Sequence, residues 1–285
     1  MRASSTPLTT GFPSELAMRP AMHRAARVLL AGPDELWVLV DEHQIYGRIP
    51  DLVAARVDMA ALQARLAGGW LRSLNETELR GLRAMRPDRG SRLDLLAGRM
   101  RVAPETAQKV LAGLVRDNFA ERTLSGSYAR RAPVAPFVSR VVSFEAKRSE
   151  ARSALIQARD HRLFADAVYV AFDAAFTRRF EAAKPIYRHH GVGLLALDAE
   201  ADSYRVVARP TRSRHRHVVA LALSAERTLA RLLAAPLRRL PESRLPSATA
   251  GSGDPGRPLL LGPSANAAQR LLRAAERLLP GQAPA

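Results

Sequence analysis

Two hydrophobic periods alternate along this chain, one of 3.6 residues and one of two, and together they predict a layered α/β fold. Residues 15–31 read as a helix, with Leu16, Met22, Ala26, Leu29 and Leu30 apolar at roughly helical spacing, stopped by Gly32-Pro33-Asp34. Residues 36–40 form a short apolar run of strand length, and 46–57, starting through Gly47, reads as a second strand. Helical spacing returns over 58–67 and ends at Gly68-Gly69.

The block 75–131 has a different character. Asn75 followed by Glu78 is a capping-box signature, and Leu79, Leu82 and Met85 give the stripe behind it. A second helix over 91–100 carries Leu93, Leu95, Leu96 and Met100. A third opens at Ala103-Pro104-Glu105, with proline in the first turn, and runs through Val110, Leu111, Leu114 and Val115 to Asp117. Residues 119–131 then read as a hairpin turning near Ser125-Gly126. Three short helices and a basic hairpin match the winged helix-turn-helix in order and length, with Arg101-Val102-Ala103 as the tight turn. That resemblance implies a third helix presenting Glu105, Gln108, Lys109 and Arg116 to double-stranded DNA, with Arg122, Arg130 and Arg131 on the wing. The competing use of such a block is protein contact, including a homodimer.

After the linker 133–136, a strand-like run over 141–147 precedes a helix over 150–165. The strand 167–172, a helix over 174–189, and strands 194–197 and 204–208 follow; Gly191-Val192-Gly193 reads as a helix stop. The expected architecture is a mixed sheet flanked by helices, divided as 1–74 and 132–210 for one α/β domain, with 75–131 inserted. Segment 211–285 forms a basic C-terminal part: an Arg-rich amphipathic helix over 218–240, a Pro/Gly/Ser-rich linker over 241–263, and a short helix over 265–279.

Charge narrows the partners. A formal charge of +17 and a pI near 11.4 favour polyanions, nucleic acid first and an anionic membrane surface second. The absence of cysteine removes disulfides, thiolate zinc sites and cysteine nucleophiles together. No apolar stretch approaches the ~18 residues of a membrane span, so a soluble cytoplasmic protein without a membrane partner is expected.

Chemistry is concentrated around one lysine. The basic residues number 44, yet only Lys109, Lys147 and Lys184 are lysines. Lysine offers a compact point charge where arginine offers a flat, always-charged fork. In a strand, residues two apart share a face, so Glu145 and Lys147 point one way and Phe144 and Ala146 the other. Phosphodiester hydrolysis calls for a divalent ion held by hard oxygen ligands. Asp51 and Glu145 are the candidate carboxylates for Mg²⁺ or Mn²⁺, and the Ala146 carbonyl is a third oxygen beside them. Lys147 is then placed to orient water or neutralise developing charge. Gln157, on the following helix, is the candidate for positioning a phosphate or a metal-bound water.

The ordered array Ile49-Pro50-Asp51, Glu145-Ala146-Lys147 and Gln157, followed by the strand through Val168 and Phe172, resembles the PD-(D/E)XK nuclease superfamily. The resemblance covers roughly residues 15–210 apart from the helical block. It implies a restriction-endonuclease-like fold, Asp51 and Glu145 as metal ligands, Lys147 as the catalytic lysine, and Glu15 as an assisting acid on the first helix. Two features depart from the usual pattern. The 94 residues from Asp51 to Glu145 make a long gap, which the helical insert fills. His161 stands where relatives with a Gln-x-x-x-Tyr helix carry tyrosine. The expectation is therefore a metal-dependent DNA endonuclease. The alternative is a non-catalytic DNA-binding regulator, or a component of a defence or repair complex, built on the same scaffold.

Overall fold

The computed structural model of this chain describes residues 11–30, 35–45, 47–70, 72–133, 136–201, 203–213, 217–234, 259–261 and 270. In chain order, α1 (Glu15–Leu30) leads to β1 (Leu36–Asp41), β2 (Leu52–Val57) and α2 (Met59–Ala67). Three short helices follow, α3 (Glu76–Ala84), α4 (Leu93–Met100) and α5 (Pro104–Arg116), then a hairpin of β3 (Ala120–Arg122) and β4 (Tyr128–Arg130). The chain next alternates through β5 (Val138–Lys147), α6 (Ala151–His161), β6 (Ala167–Asp173), α7 (Thr177–His189) and β7 (Gly193–Leu197). It closes with β8 (Tyr204–Ala208), α8 (Val218–Ala234) and β9 (Leu259–Leu261).

The result is an α/β structure around a seven-stranded mixed sheet, ordered β8-β7-β6-β5-β2-β1-β9. The central strands β5, β6 and β7 run parallel, joined by α6 and α7 as crossovers, and the outer pairings are antiparallel. Strand alternation sorts the two faces. Trp37, Leu39, Leu52, Ala54, Val142 and Phe144 pack under α1 through Met18, Met22, Ala25 and Ala26. Val38, Val53, Ala55, Val141, Val168 and Val170 face the other way, into a second core with α6, α7 and α8. On that side Phe172 stacks on Phe180 with centroids 4.2 Å apart, and the Tyr187 hydroxyl donates to the Ala151 carbonyl at 2.6 Å. Each such fully buried large side chain contributes about 1.5–3 kcal/mol.

The second core continues without a break into the helical block, through Leu79, Leu82, Leu111, Leu114 and Phe119. The block is also latched by charge. Buried Glu226 of α8 accepts Arg65 through both carboxylate oxygens at 2.8 Å and the Leu74 backbone N–H at 2.9 Å. Asn75 and Glu78 complete a capping box at the start of α3, and Pro104 occupies the first turn of α5, as the spacing predicts. Gly191 ends α7 at φ 66°, where a Cβ would meet Thr211 Oγ1 at 2.2 Å.

Several boundaries differ from those expected from the sequence. The second strand begins at Leu52 instead of residue 46, because Ile45 and Arg48 close a tight turn around Gly47 (φ 71°). The helix expected over 150–165 stops at His161, whose carbonyl is taken by Phe164 and Ala165 N–H groups in a wrapped turn. The helix expected from 174 starts as a 3₁₀ turn capped by Asp173 before α7 begins at Thr177. Of the helix expected over 218–240, Val218–Ala234 forms α8, a core element with Ala220, Ala222, Ala225, Leu229 and Leu232 buried, and 235–240 lie outside the described residues. Within the expected flexible linker, Leu259–Leu261 forms β9 against β1. The remainder of that linker, and the short helix expected over 265–279 apart from Arg270, lie outside the described residues. Among the described residues no helix is long and apolar enough to cross a membrane.

Candidate active site at the end of the central strands

The register of β2 and β5 pairs Leu52 with Phe144, so one position further on Asp51 and Glu145 oppose each other at the strand ends. The Ala146 backbone N–H donates to Asp51 Oδ2 at 2.8 Å. In a strand, the N–H and C=O of one residue point to the same side. The Ala146 carbonyl is therefore directed to the same side as Asp51, past the last residue of β2. Alternation then brings Lys147 onto the Glu145 face, with Nζ 3.7 Å from Glu145 Oε1.

Helix α1 closes the group from the other layer. Its first turn carries Glu15, whose Oε2 accepts Lys147 Nζ at 2.9 Å. One turn later Arg19 lies 3.7 Å from Asp51 Oδ1 and 2.7 Å from Glu42 Oε1. The segment before α1 is fixed by buried Asp173 at the end of β6, which accepts the Phe12 N–H at 2.7 Å. Helix α6 contributes His161, buried against the opposite flank, with Nδ1 3.0 Å from Ser143 Oγ and Nε2 4.0 Å from Glu145 Oε2.

Burial sets the protonation states. Desolvation first, and then the negative charge of Asp51, push Glu145 up to about 7; its side chain is only 5% exposed. Asp51 is also raised, by burial, although the Ala146 N–H and Arg19 act against the shift. Burial is the largest single influence on Lys147 and works against its charge, but the hydrogen bond and charge of Glu15, with the charges of Glu145 and Asp51, together outweigh it, so its pKa lies above the usual lysine value. His161 is lowered to about 4 by burial and stays neutral across the physiological range. The site thus holds two carboxylates that burial discourages from ionising together, beside an ammonium that is firmly charged.

The chemistry of the donors decides which divalent ion would suit them. Two carboxylates and a backbone carbonyl are hard oxygen ligands, and magnesium binds through one or two carboxylates while keeping several waters. Among the described residues no group of three or more His, Cys, Asp or Glu is arranged to hold a metal ion, so the carboxylates at this site number two. Asp51, Glu145 and Ala146 fit the magnesium or manganese pattern.

Of the residues singled out from the sequence, Asp51, Glu145, Ala146, Lys147 and Glu15 come together. Among the described residues no hydrogen bond ties Gln157 to them; it is exposed on α6, one turn before His161. Two neighbours are not evident from the sequence as members of the site. Their signals were the i,i+4 spacing of Arg19 to Glu15 on one helix face, and the same spacing of His161 to Gln157.

The residues expected to meet DNA are more scattered in character. Gln108 and Lys109 are exposed on α5, and Arg122 is exposed on the hairpin. Arg116 pairs with Asp117 at 3.0 Å, and Arg131 pairs with Glu121 at 2.9 Å while donating to Asn118 at 2.7 Å. Arg130 is half-buried, and desolvation lowers its pKa. Comparison with known proteins gives no match: no family model, no curated protein and no solved structure corresponds to this chain.

Proposed function

We propose that this protein is a metal-dependent DNA endonuclease of the PD-(D/E)XK kind, with 75–131 serving as an inserted winged helix-turn-helix that docks the duplex. One observation carries the reading. Asp51 and Glu145 oppose each other at the ends of two central strands, joined through the Ala146 N–H, with Lys147 on the Glu145 face. Asp51, Glu145 and the Ala146 carbonyl would hold Mg²⁺ or Mn²⁺. A bound ion of this type supplies charge stabilisation at the phosphodiester and acidifies the attacking water.

The remaining roles belong to the chain. Lys147, held between Glu15 and Glu145, presents a fixed ammonium toward charge that develops on the scissile phosphate. Glu15 restrains that ammonium from the α1 side, and Arg19 restrains Asp51. Neutral His161 and Ser143 wall the inner flank. The net charge of +17 supplies sequence-independent affinity for double-stranded DNA. Incubating the protein with supercoiled plasmid and Mg²⁺ or Mn²⁺, with EDTA as control, tests the reading. Metal-dependent nicking or linearisation supports it, and DNA binding without cleavage moves the chain to the regulator class.

A further inference from the structure

Five arginines from separate segments converge on a cleft remote in sequence from the carboxylate site. Arg80 and Arg83 project from α3, Arg86 from the loop after it, Arg99 from the last turn of α4, and Arg101 from the following turn. His217, just ahead of α8, also lines the cleft, whose volume is about 560 Å³. The rest of the lining is Ala84, Met85 and Val219, so among the described residues no acidic side chain and no Phe, Tyr or Trp faces it.

Local explanations cover part of this cluster. Arg83 and Arg99 sit in last helical turns, where a cation complements the helix dipole, and Arg99 donates to the Ala84 carbonyl at 3.0 Å. Arg80 is paired with Glu76 one turn earlier on α3. Arg101, the C-cap of α4, and Arg86, next after the C-cap of α3, also stand at helix C-termini, but both are exposed and among the described residues no side-chain hydrogen bond or ion pair holds either. The left-handed backbone of Arg101 (φ 59°) closes α4, its N–H donating back to the Ala97 and Gly98 carbonyls. Like charges gathered in one concavity repel unless an anion joins them.

We infer that this cleft between α3, α4 and α8 is a docking site for backbone phosphates of duplex DNA, an inference that rests on the DNA-cleaving reading above. Guanidinium forks match phosphate oxygens in geometry. The lining offers no Phe, Tyr or Trp as a stacking platform for a base, and the His217 imidazole already accepts the Ala220 N–H at 3.3 Å. That combination recognises the sugar–phosphate strand and not a free nucleotide. The α5 and hairpin face is weaker in net charge: Glu105 is exposed near Lys109, and Arg116 and Arg131 are neutralised by Asp117 and Glu121. The main electrostatic footprint of the helical block therefore lies on its α3–α4 side.

The test is fluorescence anisotropy with a short labelled duplex of mixed sequence, titrated at roughly 50 to 200 mM salt. Replacing Arg83, Arg86, Arg99 and Arg101 by alanine together is expected to reduce the slope of log K against log salt by about 0.9 for each phosphate no longer neutralised, roughly 2.7–3.6 for three or four. Lys109→Ala is expected to change the slope by at most about 0.9. A variant with lysine at the same four positions keeps the charge and should keep most of the slope, which separates phosphate binding from a folding defect. An unchanged slope in the alanine variant, with wild-type binding and metal-dependent cleavage intact, overturns the cleft and leaves the endonuclease reading standing. Failure of the wild type to bind the duplex at low salt overturns both.

Discussion

Asp51 Oδ2 accepts the backbone N–H of Ala146 at 2.8 Å, so the turn leading into β2 is tied to the strand that carries Glu145 and Lys147. This bond gives Asp51 two separable roles, one in holding the strand ends and one in presenting charge. Asparagine can still accept the N–H but carries no charge. Asp51→Asn is therefore expected to melt within a few degrees of wild type while cleavage falls by about 10²–10³. Thermal melting beside a plasmid assay checks this, and wild-type activity in Asp51→Asn would remove Asp51 from the site.

Glu145 is pushed up to about 7 from an ordinary 4.5, by burial and then by the charge of Asp51. Between those values the folded protein keeps a proton that the unfolded chain has lost, so this residue favours folding below about 4.5 and loses that contribution as pH rises through 7. Glu145→Gln removes the titration. Relative to wild type, the metal-free variant is expected to gain stability on going from acid to alkaline pH, by on the order of 3 kcal/mol. Parallel melting curves against pH in the two proteins would contradict the buried-carboxylate assignment.

The same proton competes with a divalent ion. Binding of Mn²⁺, followed by calorimetry, is expected to tighten as pH rises toward about 7 and then level off, with proton release on the acid side. The thermal shift produced by the ion should vanish in Glu145→Gln. An equal shift in the variant would place the ion elsewhere.

Lys147 sits 2.9 Å from Glu15 and 3.7 Å from Glu145, with its side chain 16% exposed. A guanidinium is wider and flatter, and it cannot place a point charge in that gap. Lys147→Ala and Lys147→Arg are each expected to lower the cleavage rate by about 10²–10³ while leaving duplex affinity nearly unchanged. Full activity in Lys147→Arg would show that the ammonium itself is not required.

Glu226 offers a stability test outside the site. It is buried on α8 and bridges Arg65 of α2 to the Leu74 N–H at the entrance to the helical block. Glu226→Ala leaves half-buried Arg65 without its carboxylate, hydrogen-bonded only to the Trp70 and Arg72 carbonyls, and should cost about 3–5 kcal/mol. Because one apolar core runs through both parts, denaturant unfolding is expected to stay a single transition. Independent melting of the helical block would contradict that continuity.

How much of this is legible in the sequence depends on the range of the interaction. Glu145 and Lys147 can be placed on one face because strand alternation is local, and the capping box at Asn75 and the proline in the first turn of α5 are local too. Asp51 stands out by residue type and order, but its bond to the Ala146 N–H depends on a pairing across 95 positions that no periodicity encodes. His161 draws notice only as a departure from a motif, and its place behind Glu145 follows from how α6 packs on β5. Three residues are too few to show a period, so Leu259–Leu261 is indistinguishable from linker. The arginine cleft is hidden for another reason: its arginines come from two stretches, 80–86 and 99–101, of a chain in which basic residues are everywhere.

If Asp51, Glu145 and Lys147 form a metal-dependent phosphodiesterase site, the single-turnover cleavage rate of supercoiled plasmid by wild type and Glu145→Gln will show it, with Mg²⁺ or Mn²⁺ and with EDTA. The expected result is cleavage by wild type only when the ion is present, and a rate lower by at least about 10² in Glu145→Gln at undiminished DNA binding. A Glu145→Gln protein that cleaves as fast as wild type, or a wild type that binds the plasmid and leaves it intact with either ion, would overturn the assignment.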